Sequence, residues 1–320
     1  MAEQSFFLIS FMKSNSAGAS RLGCFSFFFR ALFCQSHFKF SPFIKIKSFG
    51  FMKPCLCFIF CLGFLLMATP LLAQQDFLKQ PTIELSYGAP SLSLKDAPAK
   101  LSSVYQFGFN WGLRRLRTTT APNILDYTRP SLTFSVSPKE NSTGNDELAT
   151  SFWRFGVAVE DGYAYKLTNR SILSLSCNSG LSWTKVDIAS NPQMGFLSEN
   201  YQRFDGKIHF GTVTQAGVNM QIGHVIFGAN MERALMFPAH LFLQSTVSYL
   251  IQMEAHQLAG KLTDCVFECA PKLVPVVDFL LKNGINFTMY ELRRNNMNWP
   301  FSSEKPLLNK AFNVYFSLLF

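Results

Sequence analysis

Acidic residues are almost missing from the first 73 residues of this chain, and charge of either sign is sparse in the rest. Residues 1–73 hold seven Lys or Arg and one acid, Glu3, so they supply +6 of the net charge of +9. The remaining 247 residues carry 41 charged side chains, about 17 per cent, against roughly 25 per cent in soluble domains. They also lack a basic stripe, so a nucleic-acid partner is not expected. Five of the eight cysteines fall in the first 73 residues, leaving Cys177, Cys265 and Cys269. That odd set offers no disulfide framework, and no Cys/His cluster has zinc spacing. No G-x-S-x-G or H-E-x-x-H occurs, so neither a metal nor another cofactor is expected. Finally, no run of 18 apolar residues follows residue 73; LVPVVDFLL is broken by Asp278. A helical inner-membrane protein is thereby disfavoured.

What is present divides the chain in three. Residues 1–51 are rich in Phe, Ser and Lys without period or motif, and are expected to be an over-extended gene start ahead of Met52. Residues 52–73 have a positive start at Lys53, an apolar run to Ala68, a break at Pro70 and a small residue at Ala73. This is the layout of a secretory signal peptide cut after Ala73. Residues 74–320 form the third part, and their dominant signal is period two.

In SSVYQFGFNWGL, Tyr105, Phe107, Phe109, Trp111 and Leu113 share one face, and in FWRFGVAVE so do Trp153, Phe155, Val157 and Val159. The pattern recurs over 82–88, 130–137, 173–183, 206–213, 218–229, 241–251, 272–281, 285–292 and 311–320. That predicts eleven visible strands, no amphipathic helix and no repeat. The apolar phase slips at Gly223-His224, which predicts a β-bulge. The other face of these strands is mostly Gly, Ser, Asn, Thr and Gln, residues that suit a crowded barrel interior better than a wet sheet face. The expected fold is therefore all-β, an antiparallel transmembrane β-barrel. With spanning strands of about 9–11 residues, the length accommodates on the order of twelve strands, in a range of 10–14. Lys282-Asn283-Gly284 is expected to be a tight periplasmic turn, and 293–310 an extracellular loop in which Trp299 serves as a belt residue.

The closing segment AFNVYFSLLF places Phe312, Val314, Phe316, Leu318 and Phe320 on one side. It resembles the C-terminal signal of bacterial outer-membrane β-barrels. The resemblance implies recognition by the barrel-assembly machinery, contact with outer-membrane lipid, and location in the bacterial outer membrane after Sec export. Gln74-Gln75-Asp76 after the leader, together with KIHFGTVTQAGVNMQIGHVIFGAN, is similar to the PorP/SprF barrels associated with type IX secretion and gliding motility. That likeness implies a scaffold role among envelope or secretion-complex proteins.

Arg154 and Glu160 fall on the non-apolar face of one strand, and Lys207 and His209 on that of another. All four are lumen-facing candidates, where charge either tunes permeation or fills a narrow interior. The expected function is non-catalytic: a small-solute channel or a structural component of an envelope complex. The alternatives are a secreted soluble β-barrel that binds an apolar ligand and a barrel lipase or acyltransferase using His209 or His224.

Overall fold

An extended chain turns successive side chains to opposite faces, so a segment alternating large apolar with small polar residues can present two unlike surfaces at once. The structure, a computed structural model, describes residues 78–95, 100–102, 105–138, 147–188, 201–239 and 242–320. The expected gene-start segment 1–51, the leader 52–73 and Ala73 lie outside the described residues. Eight long strands form: β1 (Leu78–Leu94), β3 (Gln106–Thr118), β4 (Ile124–Ser137), β5 (Glu147–Lys166), β6 (Ser171–Ile188), β7 (Ile208–Ile222), β8 (Val225–Met236) and β9 (Leu307–Leu319). A three-residue strand, β2 (Lys100–Ser102), pairs in parallel with the start of β5. Between β8 and β9 stand two helices, α1 (Phe242–Cys269) and α2 (Val274–Asn295).

The eight long strands pair antiparallel in the order β1-β3-β4-β5-β6-β7-β8-β9, and β9 pairs back onto β1. The sheet is thus a closed ring. A path through paired residues runs Glu84, Asn110, Thr133, Gly156, Ser182, Gly211, Met236, Leu307, and re-enters β1 at Leu94, ten residues beyond its start. An offset of ten residues round eight strands tilts each strand by about 40° to the ring axis.

Among the described residues the ring has eight strands, not about twelve. Residues 241–251, 272–281 and 285–292 were expected as strands, but the described part of the first segment and the bulk of the other two lie in α1 and α2. Lys282-Asn283-Gly284 sits inside α2 rather than in a turn. The phase slip at Gly223-His224 is not a bulge: Ile222 pairs with Val225, so these two residues are the turn of a β7–β8 hairpin. Gly223 has φ +62°, a conformation that costs a residue with a Cβ about 1–2 kcal/mol. Gly223→Val should therefore lower the unfolding free energy of the refolded protein by about that amount, measured by urea titration. Asn123→Gly, at φ 67° in the β3–β4 turn, should leave it unchanged or slightly raised.

Three short connections, 119–123, 167–170 and 223–224, lie at one end of the ring, together with the start of β1 and the end of β9. The four long connections, including the helical hairpin, leave from the other end. This asymmetry of tight turns and long loops is usual in outer-membrane barrels.

Candidate functional site: the filled lumen

Side chains on strands that are not neighbours in the ring can meet only across its interior, and that identifies the inner face. Arg154 on β5 reaches Glu232 on β8 at 2.6 Å. Arg114 on β3 donates to Gln221 on β7, on the opposite wall. Arg129 on β4 reaches Glu84 on β1 at 2.6 Å and Glu160 on the adjacent β5 at 2.5 Å. Three Arg and three Glu, all buried, therefore balance inside the ring.

Neutral groups extend the network. Glu84 accepts from Asn110 at 2.5 Å and from Ser317 at 3.1 Å, while Tyr127 donates to Glu160 at 3.2 Å. Gln215 donates to Glu232 at 2.9 Å and Asn178 to Gln215 at 2.8 Å. Arg114 also meets Ser174 at 3.3 Å and lies over the Tyr127 ring. Bulk is accommodated by matching large side chains to small ones. Tyr315, for instance, lies where a Cβ on Gly228 would come within 2.3 Å of its ring. The space left among Asn110, Arg154, Asn178, Gln215 and Glu232 is about 30 Å³, room for a water molecule rather than a solute.

Toward the long connections the inward side chains turn apolar. Leu92, Leu94, Phe152, Val186, Met236 and Leu307 close the lumen from the strands, and Leu101, Tyr201 and Phe204 pack onto them. Burial pushes the phenol of Tyr201, which lies outside the strands, above its ordinary range. At the tight-turn end a cavity of about 460 Å³ is lined by Gln80, Leu116, Arg170, Gln221 and His224. From one end to the other the interior is thus a recess, an ionic network and an apolar stopper.

The residues singled out from sequence fall as follows. Arg154 and Glu160 are buried members of the network. His209 also points inward; its Nδ1 lies 3.0 Å from the Phe237 carbonyl oxygen. Lys207 does not point into the lumen: it precedes β7, after Gly206 at φ +68°, and is exposed. Phe312, Val314, Phe316 and Leu318 line the outer face of β9 and are exposed, as is Phe320 beyond it. Trp299 follows α2 in a turn, with Met297 beside it in the buried cluster of Leu235, Phe237, Tyr290 and Leu308. Glu84, Arg114, Arg129 and Glu232 were missed; of these only Glu84, between Ile83 and Leu85, has an apolar residue on each side as Arg154 does. Among the described residues no group of three or more His, Cys, Asp and Glu is arranged to hold a metal ion.

The outer face is the reverse of the inner one. Leu85, Phe107, Phe109, Phe134, Met231 and Phe312 all stand exposed on it, Leu85 at 57% and Phe109 at 43% of its full surface.

No family model matches the chain, and no curated protein matches it. One solved structure to which it is similar is that of Neisserial surface protein A (NspA), at 7% identity and a TM-score of 0.32, covering 75% of this chain and 97% of that one. Closure of the ring rests on the strand register described above, independently of that likeness.

Proposed function

We propose that this protein is an integral component of a bacterial outer membrane whose barrel is plugged and serves a structural, non-catalytic role in the envelope. The carrying observation is the inversion of polarity between the two faces of one sheet. Three Arg and three Glu side chains are enclosed, while large aliphatic and aromatic side chains cover the outside. In water the outer rows would be an exposed apolar surface far beyond what a soluble monomer carries. In lipid they are the required boundary, and closure pairs the backbone groups that lipid cannot satisfy.

The plug favours a structural component over a small-solute channel. A conducting path would have to pass the apolar stopper and then part charge pairs that fill the mid-section. A secreted carrier of an apolar ligand gains little support, because the middle of the lumen is polar and the apolar end is occupied by the chain itself. In this reading lipid covers the outer rows, the barrel-assembly machinery meets the outer face of β9, and envelope or secretion-complex proteins meet the long connections. Purified protein in a planar bilayer is expected to insert without steps of ion conductance. Reproducible stepwise currents from the unmodified protein would refute the plug and restore the channel.

A further inference from the structure

The helical hairpin lies against the outside of the ring. Lys282 of α2 forms ion pairs with Asp161 of β5 and with Asp278 one turn before it, the latter at 3.0 Å. Asn283 donates to the Ser176 carbonyl oxygen at 3.3 Å, and Asn286 donates to the Cys177 sulfur at 3.0 Å. Arg233 of β8 lies over the Phe287 ring at 4.6 Å. Asp161, Cys177 and Arg233 share the outward parity of Val159, Leu175 and Met231 on their strands. By the ten-residue offset, Cys177 stands at about the height of Trp111 and Phe316. The polar seam therefore crosses the apolar band rather than its edge.

The helices are inside-out for water. Asp278, Lys282, Asn286 and Arg293 of α2 are buried, whereas Val276, Leu280 and Phe287 are exposed. Over the 17 residues from Val274 to Tyr290 no exposed residue is charged. That stretch rises about 25 Å, the height of a barrel's apolar band. In the first half of α1, Ser245, Ser248 and Gln252 are buried while Leu243, Val247 and Leu250 are exposed. The polar groups meet across the helix pair: Arg293 donates to Gln252 at 2.7 Å, and Gln252 donates to Asn286 at 2.9 Å. A helix on a soluble protein shows the opposite arrangement.

We propose that α1 and α2 form a membrane-embedded hairpin, with the outward face of α2 and of the first half of α1 in contact with lipid acyl chains; this rests on the outer-membrane reading above. Neither helix is long and apolar enough over its whole circumference to cross a membrane. The reason is that one side of each is supplied with polar partners by the barrel wall and the other helix. The hairpin in turn shields Asp161 and Cys177, which would otherwise break the apolar band. The occupant is lipid rather than a second copy because the exposed apolar rows of α2 continue those of the strands on either side. Lys261, Asp264 and Glu268 are exposed in the second half of α1; in its first half the exposed acid is Glu254, which lies between Gln252 and His256, whose side chains meet Asn286, and so sits at the depth of Cys177. Glu254→Leu should accordingly raise the temperature at which the barrel dissociates in lipid; no rise would count against the proposal.

The decisive test uses full-length protein in phosphatidylethanolamine–phosphatidylglycerol bilayers, with every cysteine except buried Cys177 replaced by serine. A single nitroxide is attached at position 280, 287, 109 or 207, and its collisions with oxygen and with a water-soluble nickel chelate are compared. The expected result is an oxygen-to-nickel ratio at 280 and 287 equal to that at 109 and several-fold above that at 207. Water-like ratios at 280 and 287, with 109 still lipid-like, would overturn the hairpin proposal and leave the barrel in the membrane. Protection of 280 and 287 from both reagents would overturn it in favour of a protein partner. A water-like ratio at 109 would remove the membrane reading and this proposal with it.

Discussion

Arg129→Met is expected to lower the unfolding free energy by about 3–5 kcal/mol, as removal of one member of a buried ionic group does. Arg129 is 7% exposed and holds two carboxylates, Glu84 and Glu160, that are 2% and 4% exposed. Without it, two negative charges face each other across a narrow interior. The neutral combination Glu84→Gln, Arg129→Met and Glu160→Gln should recover most of the loss, because enclosed charge that is absent from all partners needs no compensation. If the lumen were instead a water-filled channel, solvent would screen the carboxylates and the single substitution would cost under about 1 kcal/mol. Urea titration of the refolded protein in micelles separates the two outcomes.

Lys282→Met should produce a second loss of similar size, about 3–5 kcal/mol, but in a different place. Lys282 and Asp278 are 5% and 2% exposed, and the substitution leaves Asp278 in the helix–barrel seam without its cation. The pair with Asp161 contributes less, since that side chain is about a third exposed and screened accordingly. Because the ring closes through β8 and β9 without the hairpin, the expected phenotype is selective. Protease should cleave between 242 and 295 while the strands keep their resistance. Asp278→Asn together with Lys282→Met should restore much of the protection. Equal loss of strand resistance would mean that the hairpin and the ring form one cooperative unit.

The strands of the first two-thirds of the fold were legible because their sequence carries two contrasting faces. Phe107, Phe109 and Trp111 against Gly108, Asn110 and Gly112 repeat the same rule as Trp153, Phe155 and Val157 against Arg154, Gly156 and Ala158. The hairpin turn at Gly223-His224 was ambiguous for a physical reason: a two-residue turn and an inserted bulge residue can both shift the apolar phase. The helices were hidden by looking for apolar periodicity. The legible stripe in α2 is the polar one, Asp278, Lys282 and Asn286 at four-residue spacing followed by Arg293, which fits a helix whose buried side is polar. The interruption of LVPVVDFLL by Asp278 is the first member of that stripe. Counting strands by length then failed, because α1 and α2 take up 28 and 22 residues of the length that was divided into strands.

The lumen was only partly readable. Arg154 and Glu160 stand within a strongly alternating segment, whereas Glu232 lies beyond 218–229, the span expected as a strand. Arg129 precedes Pro130 on β4, and Arg114 sits beside Arg115, so alternation there has no apolar contrast to reveal it. Which charges pair is a property of the register. Arg154 meets Glu232 across three strand intervals, a relation no local spacing encodes.

The central claim is that this sheet is a closed barrel held in an outer membrane. It is tested most directly by electrophoresis of the detergent-extracted outer-membrane fraction from cells expressing the chain from Met52, boiled against unboiled. A band in that fraction that migrates faster before boiling than after is the predicted result. A soluble protein whose mobility does not depend on heating would contradict the claim, and would turn the outward apolar rows into surfaces buried by some other means.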